Sequence, residues 1–373
     1  MTIYLRNGKL TFDFGDYHPR ASFSLDFQRT LRIPDDGRDY PLPPGLGTFP
    51  LEHVDDYAER LPAGWHERGG VFFPMYQAEA MWISFNRGLA SRWDADDGAY
   101  PFAVKIATGK VNCVTGEPWE LGLKRTPAEV RREGALEVRR SVQDQDYVVL
   151  PKQPWLDGYA IEKGVVRQFV AMPLGQGYTA EEQLTGAATW GGIQIVAYPL
   201  KKSKFEELEA ERVRRRRELL GHLENTARHL DEPPILQSQR MAATSMGLAP
   251  GGRMRQHIYE DEFSLDDWDL AQGQRCFVAI LNTEDWHAVT GTPVPTAPIT
   301  AAEYAKRGLP WFDYYADRRA VQGSEKLAGL KGVAAVAHAK RRELNAELSE
   351  SVPVTRIIKL GSPPERRVRQ SEF

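Results

Sequence analysis

The segment Lys201–Pro234, KKSKFEELEAERVRRRRELLGHLENTARHLDEPP, constrains the fold of this chain more than any other. Phe205, Leu208, Leu219, Leu223, Ala227 and Leu230 recur at helical steps, which suits a long charged helix laid on a surface by one apolar face. Pro233 and Pro234 end it, because neither donates a helical hydrogen bond and each disfavours a helical residue before it. Within it, four consecutive arginines, Arg214 to Arg217, spread over about 300° of the helix and make no single basic face. Glu206, Glu207, Glu209, Glu211 and Glu218 offer partners one turn away, so a solvated helix is favoured over a nucleic-acid surface.

This helix separates two stretches of different texture. Residues 1–200 read as a β-rich lobe, 201–234 as the helix and its linker, 235–361 as an α+β lobe, and 362–373 as a polar tail. With 373 residues, 42% hydrophobic and 27% charged, the composition is that of a globular protein. The net charge of −3 exerts no general pull toward nucleic acid or anionic membrane. The start, MTIYLRNGKLTF, lacks a basic, then apolar leader, and the longest apolar stretches fall well short of the about 18 to 20 residues that span a bilayer. Cys113 and Cys276 alone build neither a disulfide framework nor a cysteine zinc site. The expected setting is the cytoplasm.

Local signals favour antiparallel strands. Asn7-Gly8 between Thr2–Leu5 and Lys9–Phe12 predicts a hairpin, and Phe23, Leu25 and Phe27 alternate in a strand over Ala21–Ile33. The Pro- and Gly-rich Tyr40–Pro50 reads as a loop. Short helices are expected over Leu51–Leu61 and over Pro74–Phe85, with Pro74 in the first turn. Phe102–Ile106 and Lys110–Val114 predict a second hairpin, and Thr126 with Glu129 a capped helix. Strands follow at Asp146–Leu150, Val165–Met172, Gly192–Tyr198, Arg275–Asn282 and Val354–Leu360. Thr300 caps a short helix, and Ser324–Leu344 is broadly helical. The spacing predicts a β-rich α+β protein with antiparallel sandwich- or barrel-like lobes.

Three constellations carry possible chemistry. In LGQGYTAEEQLTG, Gly175, Gln176, Gly177 and Tyr178 precede Thr179 and Glu182, a capping box whose free amides could seat an anion, with Arg167 or Lys152 adding charge. Without a third glycine or a Walker lysine, and with Glu181 and Glu182 alongside, a structural turn is the plainer reading. Asp285, His287 and His257 could form an acid–base group, although no HExxH or Gly-x-Ser-x-Gly pattern accompanies them. The acidic runs Glu260–Asp269 and Asp94–Gly98 match no calcium loop and read as solvated, so no metal site is assigned. Cys113 and Cys276 read as small buried hydrophobes. Trp82, Trp93, Tyr100, Trp119 and Trp155 suit a core as well as a stacking platform.

The stretches SLDFQRTLRIPDDGRDYPLPPGLGTFPL, QPWLDGYAIEKGVVRQFVAMPLGQGYTAEEQLTG and GGRMRQHIYEDEFSLDDWD resemble an uncharacterised family of bacterial proteins. The resemblance runs from about Leu25 to Leu330 and implies no activity or catalytic residue. The expected function is a soluble, non-catalytic interaction or structural protein that self-assembles or binds a protein partner through the helix Phe205–Leu230, with neither nucleic acid nor membrane as partner. The alternative is a hydrolase or isomerase using Asp285, His287 and His257. No motif names a cofactor.

Overall fold

The computed structural model describes residues 2–86, 98–126, 130–133, 136–139, 144–220, 245–295, 297–314, 319–340, 353–354 and 356–360. A 16-stranded sheet dominates it. Its main path runs through Thr2–Arg6, Lys9–Asp13, Ser22–Thr30, Ala80–Asn86, Val165–Pro173, Ser245–Arg255, Gln274–Asn282, Ile193–Pro199, Phe102–Thr108 and Val148–Leu150. Every neighbour on that path is antiparallel. The protein is β-rich, as expected.

The pairing crosses the boundary drawn at residues 201–234. Gln274–Asn282 lies between Ser245–Arg255 and Ile193–Pro199, and Ser245–Arg255 pairs in turn with Val165–Pro173. Strands from before and after the charged helix therefore share one sheet. Two of its strands, Phe102–Thr108 and Ile193–Pro199, are buried along their whole length, so both of their faces are covered. Helix Val333–Ala339 covers part of the sheet, packing Val333, Val336 and Ala337 against Val170 and Met172. On another flank, helix Thr283–Thr290 sets Trp286 and Val289 against Phe72 and Phe277.

Several local expectations hold. Asn7 and Gly8 take φ of 50° and 69°, both left-handed, and close the first hairpin. Phe23, Leu25 and Phe27 all point inward. Thr179 and Thr300 each cap a helix with a complete capping box. Two predicted helices are strands instead. Ala80–Asn86 is a strand between Ser22–Thr30 and Val165–Pro173, and Met81, Ile83 and Phe85 are buried while Trp82 and Ser84 are half-buried. That period of two outweighs Pro74, which sits inside the strand Val71–Met75. The segment after Thr126 forms the antiparallel pair Val130–Glu133 and Leu136–Arg139.

The strand Ser245–Arg255 gives no clean sequence signal, because SMGLAPGGRMR reads as a loop. Its proline falls beside a register shift, where Arg167 opposes Arg253 and Phe169 opposes Pro250. Its glycines admit close neighbours: a Cβ on Gly252 would lie 2.3 Å from the Pro34 carbonyl oxygen.

The charged helix is present over Lys202–Leu220, while Leu223, Ala227 and Leu230 lie outside the described residues. Its ion pairs include Lys204–Glu207 and Arg212–Glu209. Phe205 is buried against its own chain, 4.2 Å from the Tyr100 ring centroid and 5.1 Å from that of His18. Leu208 packs on the same core. This end of the stripe is therefore already covered, and the expected partner surface does not begin at Phe205. Among the described residues, no helix is long and apolar enough to cross a membrane.

Gly70 tests the close approach of the parallel strands Val71–Met75 and Gln274–Asn282. It has φ of +89°, and a Cβ there would fall 2.0 Å from the Phe277 carbonyl oxygen. Gly70→Ala should lower unfolding free energy by about 3 kcal/mol or more, combining left-handed strain with overpacking. Gly69→Ala, at φ of +62° in open space, should lose only about 1 kcal/mol. Urea melts of the two variants measure the difference.

Candidate functional site

The segments Gln153–Asp157 and Gln256–Tyr259 meet side by side without a strand ladder, and two glutamine side chains replace the missing main-chain bonds. Gln153 donates from Nε2 to the carbonyls of Trp155 (2.9 Å) and His257 (3.2 Å), and its Oε1 accepts the Tyr259 amide at 3.1 Å. Gln256 accepts the Asp157 amide at 2.9 Å and donates to the Trp155 carbonyl at 3.2 Å and to Asp157 Oδ2 at 2.6 Å. An amide side chain carries both donor and acceptor, so it can stand in for a peptide group.

A shallow, half-open hollow of about 10 Å³, room for about one water molecule, forms over this junction, with Leu42, Pro154, Trp155 and Tyr314 as apolar walls and Gln153, Gln256, Arg255 and His257 beside them. The Trp155 and Tyr314 rings meet edge to face at 4.9 Å. Arg255 is held at the rim by Asp313, to which Nη2 donates at 2.8 Å. Desolvation and the nearby Lys163 charge lower the His257 pKa, favouring neutral imidazole. Beneath the hollow, burial pushes the Asp157 carboxyl up to about 7, against a smaller lowering by a hydrogen bond with the Trp155 side chain. Asp157 thus fastens Trp155 from behind.

The three expected acid–base residues do not converge. Asp285 and His287 lie on helix Thr283–Thr290, two positions apart and so on nearly opposite sides of it. Asp285 is half-buried and His287 exposed. His257 is far from both. Ser245 pairs with Leu281, just before that helix, whereas His257 follows the other end of the Ser245–Arg255 strand. Eleven strand residues separate the two ends by roughly 30 Å.

The expected anion turn is filled from within. Gly175 and Gly177 take left-handed φ of 85° and 70°. The Gly177 amide donates to Glu182 Oε1 at 2.5 Å and the Thr179 amide to Glu182 Oε2 at 3.1 Å. The carboxylate of Glu182 thus occupies the seat foreseen for a ligand. The Gln176 carbonyl accepts from Lys340, whose ammonium lies 5.2 Å from the buried Tyr178 ring centroid. Arg167 does not join this turn. It lies six positions before Pro173 on its strand, roughly 20 Å away, and its guanidinium faces Asp35 at 3.7 Å.

The acidic run also has an inward member. Asp261 is buried and accepts Tyr147 Oη (2.6 Å), Trp268 Nε1 (3.0 Å) and the Phe263 amide (2.8 Å). Among the described residues, no group of three metal-ligating side chains gathers. Burial pushes the Cys113 and Cys276 thiols up, the latter to about 12, as suits small packed side chains. Sequence reasoning missed the paired glutamines and Asp157. Their only trace is the alternation Gln153-x-Trp155-x-Asp157, in which polar residues face inward against the usual rule. Comparison with family models, curated proteins and solved structures gives no match for the chain.

The Asp157 shift has a testable sign. A carboxyl raised in the folded state keeps a proton that the unfolded chain releases, so its contribution to stability falls between about pH 4 and pH 7 and is level above. Asp157→Asn removes this titration. The stability of the variant relative to wild type should rise by about 2–3 kcal/mol between pH 5 and pH 8, measured by urea unfolding at each pH.

Proposed function

We propose that the chain is a non-catalytic interaction protein that meets a protein partner at the half-exposed aromatic surface of Trp155 and Tyr314. The observation that carries this reading is the edge-to-face pair of Trp155 and Tyr314 beside a shallow, half-open hollow, whose glutamines are engaged in holding its own main chain. The hollow, about 10 Å³, is far smaller than the roughly 300–1,000 Å³ of small-molecule sites, whereas aromatic side chains dominate many protein interfaces. The Trp155–Tyr314 pair offers ring edges and faces to a third aromatic. This surface replaces the helix Phe205–Leu230 as the proposed contact because Phe205 already packs inside its own chain.

A second reading, a hydrolase or isomerase, is favoured by one observation: Asp157, with its carboxyl pushed up to about 7, lies under the hollow that His257 lines. Such a carboxyl could serve as an acid near neutral pH. It is sealed behind Gln256 and fully buried, which suits bracing better than proton transfer to a ligand.

Size-exclusion chromatography with light scattering, using partner peptides selected against the pure protein, separates these readings. His257→Trp, which fills the exposed side of the hollow, should weaken the complex by about 2 kcal/mol or more. Val213→Glu, on the exposed face of the charged helix, should leave it unchanged. A complex that survives His257→Trp and fails with Val213→Glu would return the interface to the helix. Substrate turnover abolished by Asp157→Asn would make the protein an enzyme.

A further inference from the structure

One end of the main sheet path is the strand Thr2–Arg6, which among the described residues pairs with Lys9–Asp13 alone. The two-residue turn Asn7-Gly8 makes Arg6 and Lys9 a hydrogen-bonded pair, and along an antiparallel ladder bonded pairs alternate with open ones. Thr2 with Asp13 and Tyr4 with Thr11 are therefore bonded, whereas the N–H and C=O groups of Ile3 and Leu5 point away from the hairpin. Among the described residues, neither Ile3 nor Leu5 makes a main-chain hydrogen bond on that outer side. The strand is anchored from its inner face. There Ile3 and Leu5 pack on the core, and Gln274 donates to the Asp13 carbonyl at 2.7 Å. On the outer face Thr2 and Arg6 are exposed and Tyr4 is half-buried. Tyr4 donates to Asp13 Oδ2 at 3.2 Å, and the Arg6 guanidinium lies 5.8 Å from the Tyr4 ring centroid. Edge strands are usually guarded against pairing by proline, a bulge or a charge, and Ile3, Tyr4 and Leu5 supply none of these.

We propose that two copies of this chain join edge to edge, Thr2–Arg6 pairing antiparallel with the same strand of the second copy about a two-fold axis at Tyr4. The open groups fix the register. Joining them to one another sets Ile3 of each copy against Leu5 of the other, which forms four main-chain hydrogen bonds. The side chains match in that register. Ile3 and Leu5 meet on the core face, and the two Tyr4 rings meet on the outer face, in the closer kind of cross-strand pair. Arg6 of one copy then stands beside Thr2 of the other, with Asp13 one strand further. Two strand spacings make roughly 10 Å between main chains, a gap that the long Arg6 side chain and Asp13 span. Within its own hairpin Arg6 faces Lys9, a like charge. The second copy thus brings a carboxylate to each Arg6, twice by symmetry, and this complementarity selects a copy of the chain as the occupant. Two five-residue strands bury less than the roughly 1,200–2,000 Å² of stable interfaces. The dimer is accordingly weak, with a Kd of about 100 µM.

Sedimentation velocity of the full chain from about 10 µM to 1 mM brackets that Kd and should show a reversible monomer–dimer equilibrium. Ile3→Pro deletes one outward N–H and no bond of the hairpin itself, so it should weaken the dimer about tenfold or more. Cysteine cross-linking reads the register. Tyr4→Cys puts two thiols on the axis with Cβ atoms about 5 Å apart, and mild oxidation should link the dimer. Thr2→Cys leaves its two thiols roughly 13 Å apart and should stay unlinked, with wild type as the blank. A chain that stays monomeric to the top of the concentration range overturns the proposal and leaves the edge to a different protein. An unchanged Kd in folded Ile3→Pro also overturns it, by placing the contact elsewhere. If Ile3→Pro does not fold, as judged by circular dichroism, the cysteine variants decide: equal linking of Tyr4→Cys and Thr2→Cys, or none of either, refutes the pairing.

Discussion

Coverage of the sheet on both faces governs the rest of this structure. A strand such as Phe102–Thr108, buried at every position, leaves a polar side chain no water to turn to, so each needs a partner inside the protein. Lys105 in that strand pairs with Asp146 at 2.6 Å and donates to the Gly122 carbonyl at 3.1 Å. Glu181 accepts the amides of Thr189, Trp190 and Gly191, organising the loop that enters the Ile193–Pro199 strand. Gln168 and Asp261 do the same for other loops. The exceptions are few and include the buried donors of Arg32, Arg167, Trp82, Trp286 and Trp311.

The same constraint explains what was legible beforehand. Features set by a few neighbouring residues could be read directly: Asn7-Gly8 turns the chain, and Thr179 with Glu182 and Thr300 with Glu303 start helices. Features set by distant partners could not. Pro250 disqualifies Ser245–Arg255 as a strand unless the shift opposite Arg167 and Phe169 is known. Glu182 looked like an obstacle to an anion, whereas in the structure it is the anion that the turn holds. Asp285 and His287 looked adjacent only while the helix that separates them was unrecognised.

The candidate hollow shows how structure and recognition are joined. Its wall Trp155 is tied to the sheet by pairing with Ser84, and to the segment beneath by Gln153, Gln256 and Asp157. Gln153 and Gln256 both brace the hollow and line it. A wall held in this way is preorganised, which reduces the ordering that binding requires.

The interleaving of the sheet also sets a schedule for the growing chain on the ribosome. Ile193–Pro199 emerges when its neighbour Phe102–Thr108 has already been made, but its other neighbour, Gln274–Asn282, is made some 75 residues later. At about 5–20 residues per second, that strand edge waits several seconds with its amides and carbonyls unpaired. An apolar strand with an open edge is the surface that binds stray strands of other chains and attracts chaperones. The long charged helix falls within this interval, at Lys202–Leu220, directly after the waiting strand. Its dense like and unlike charges give the nascent chain a soluble escort until the missing strand arrives.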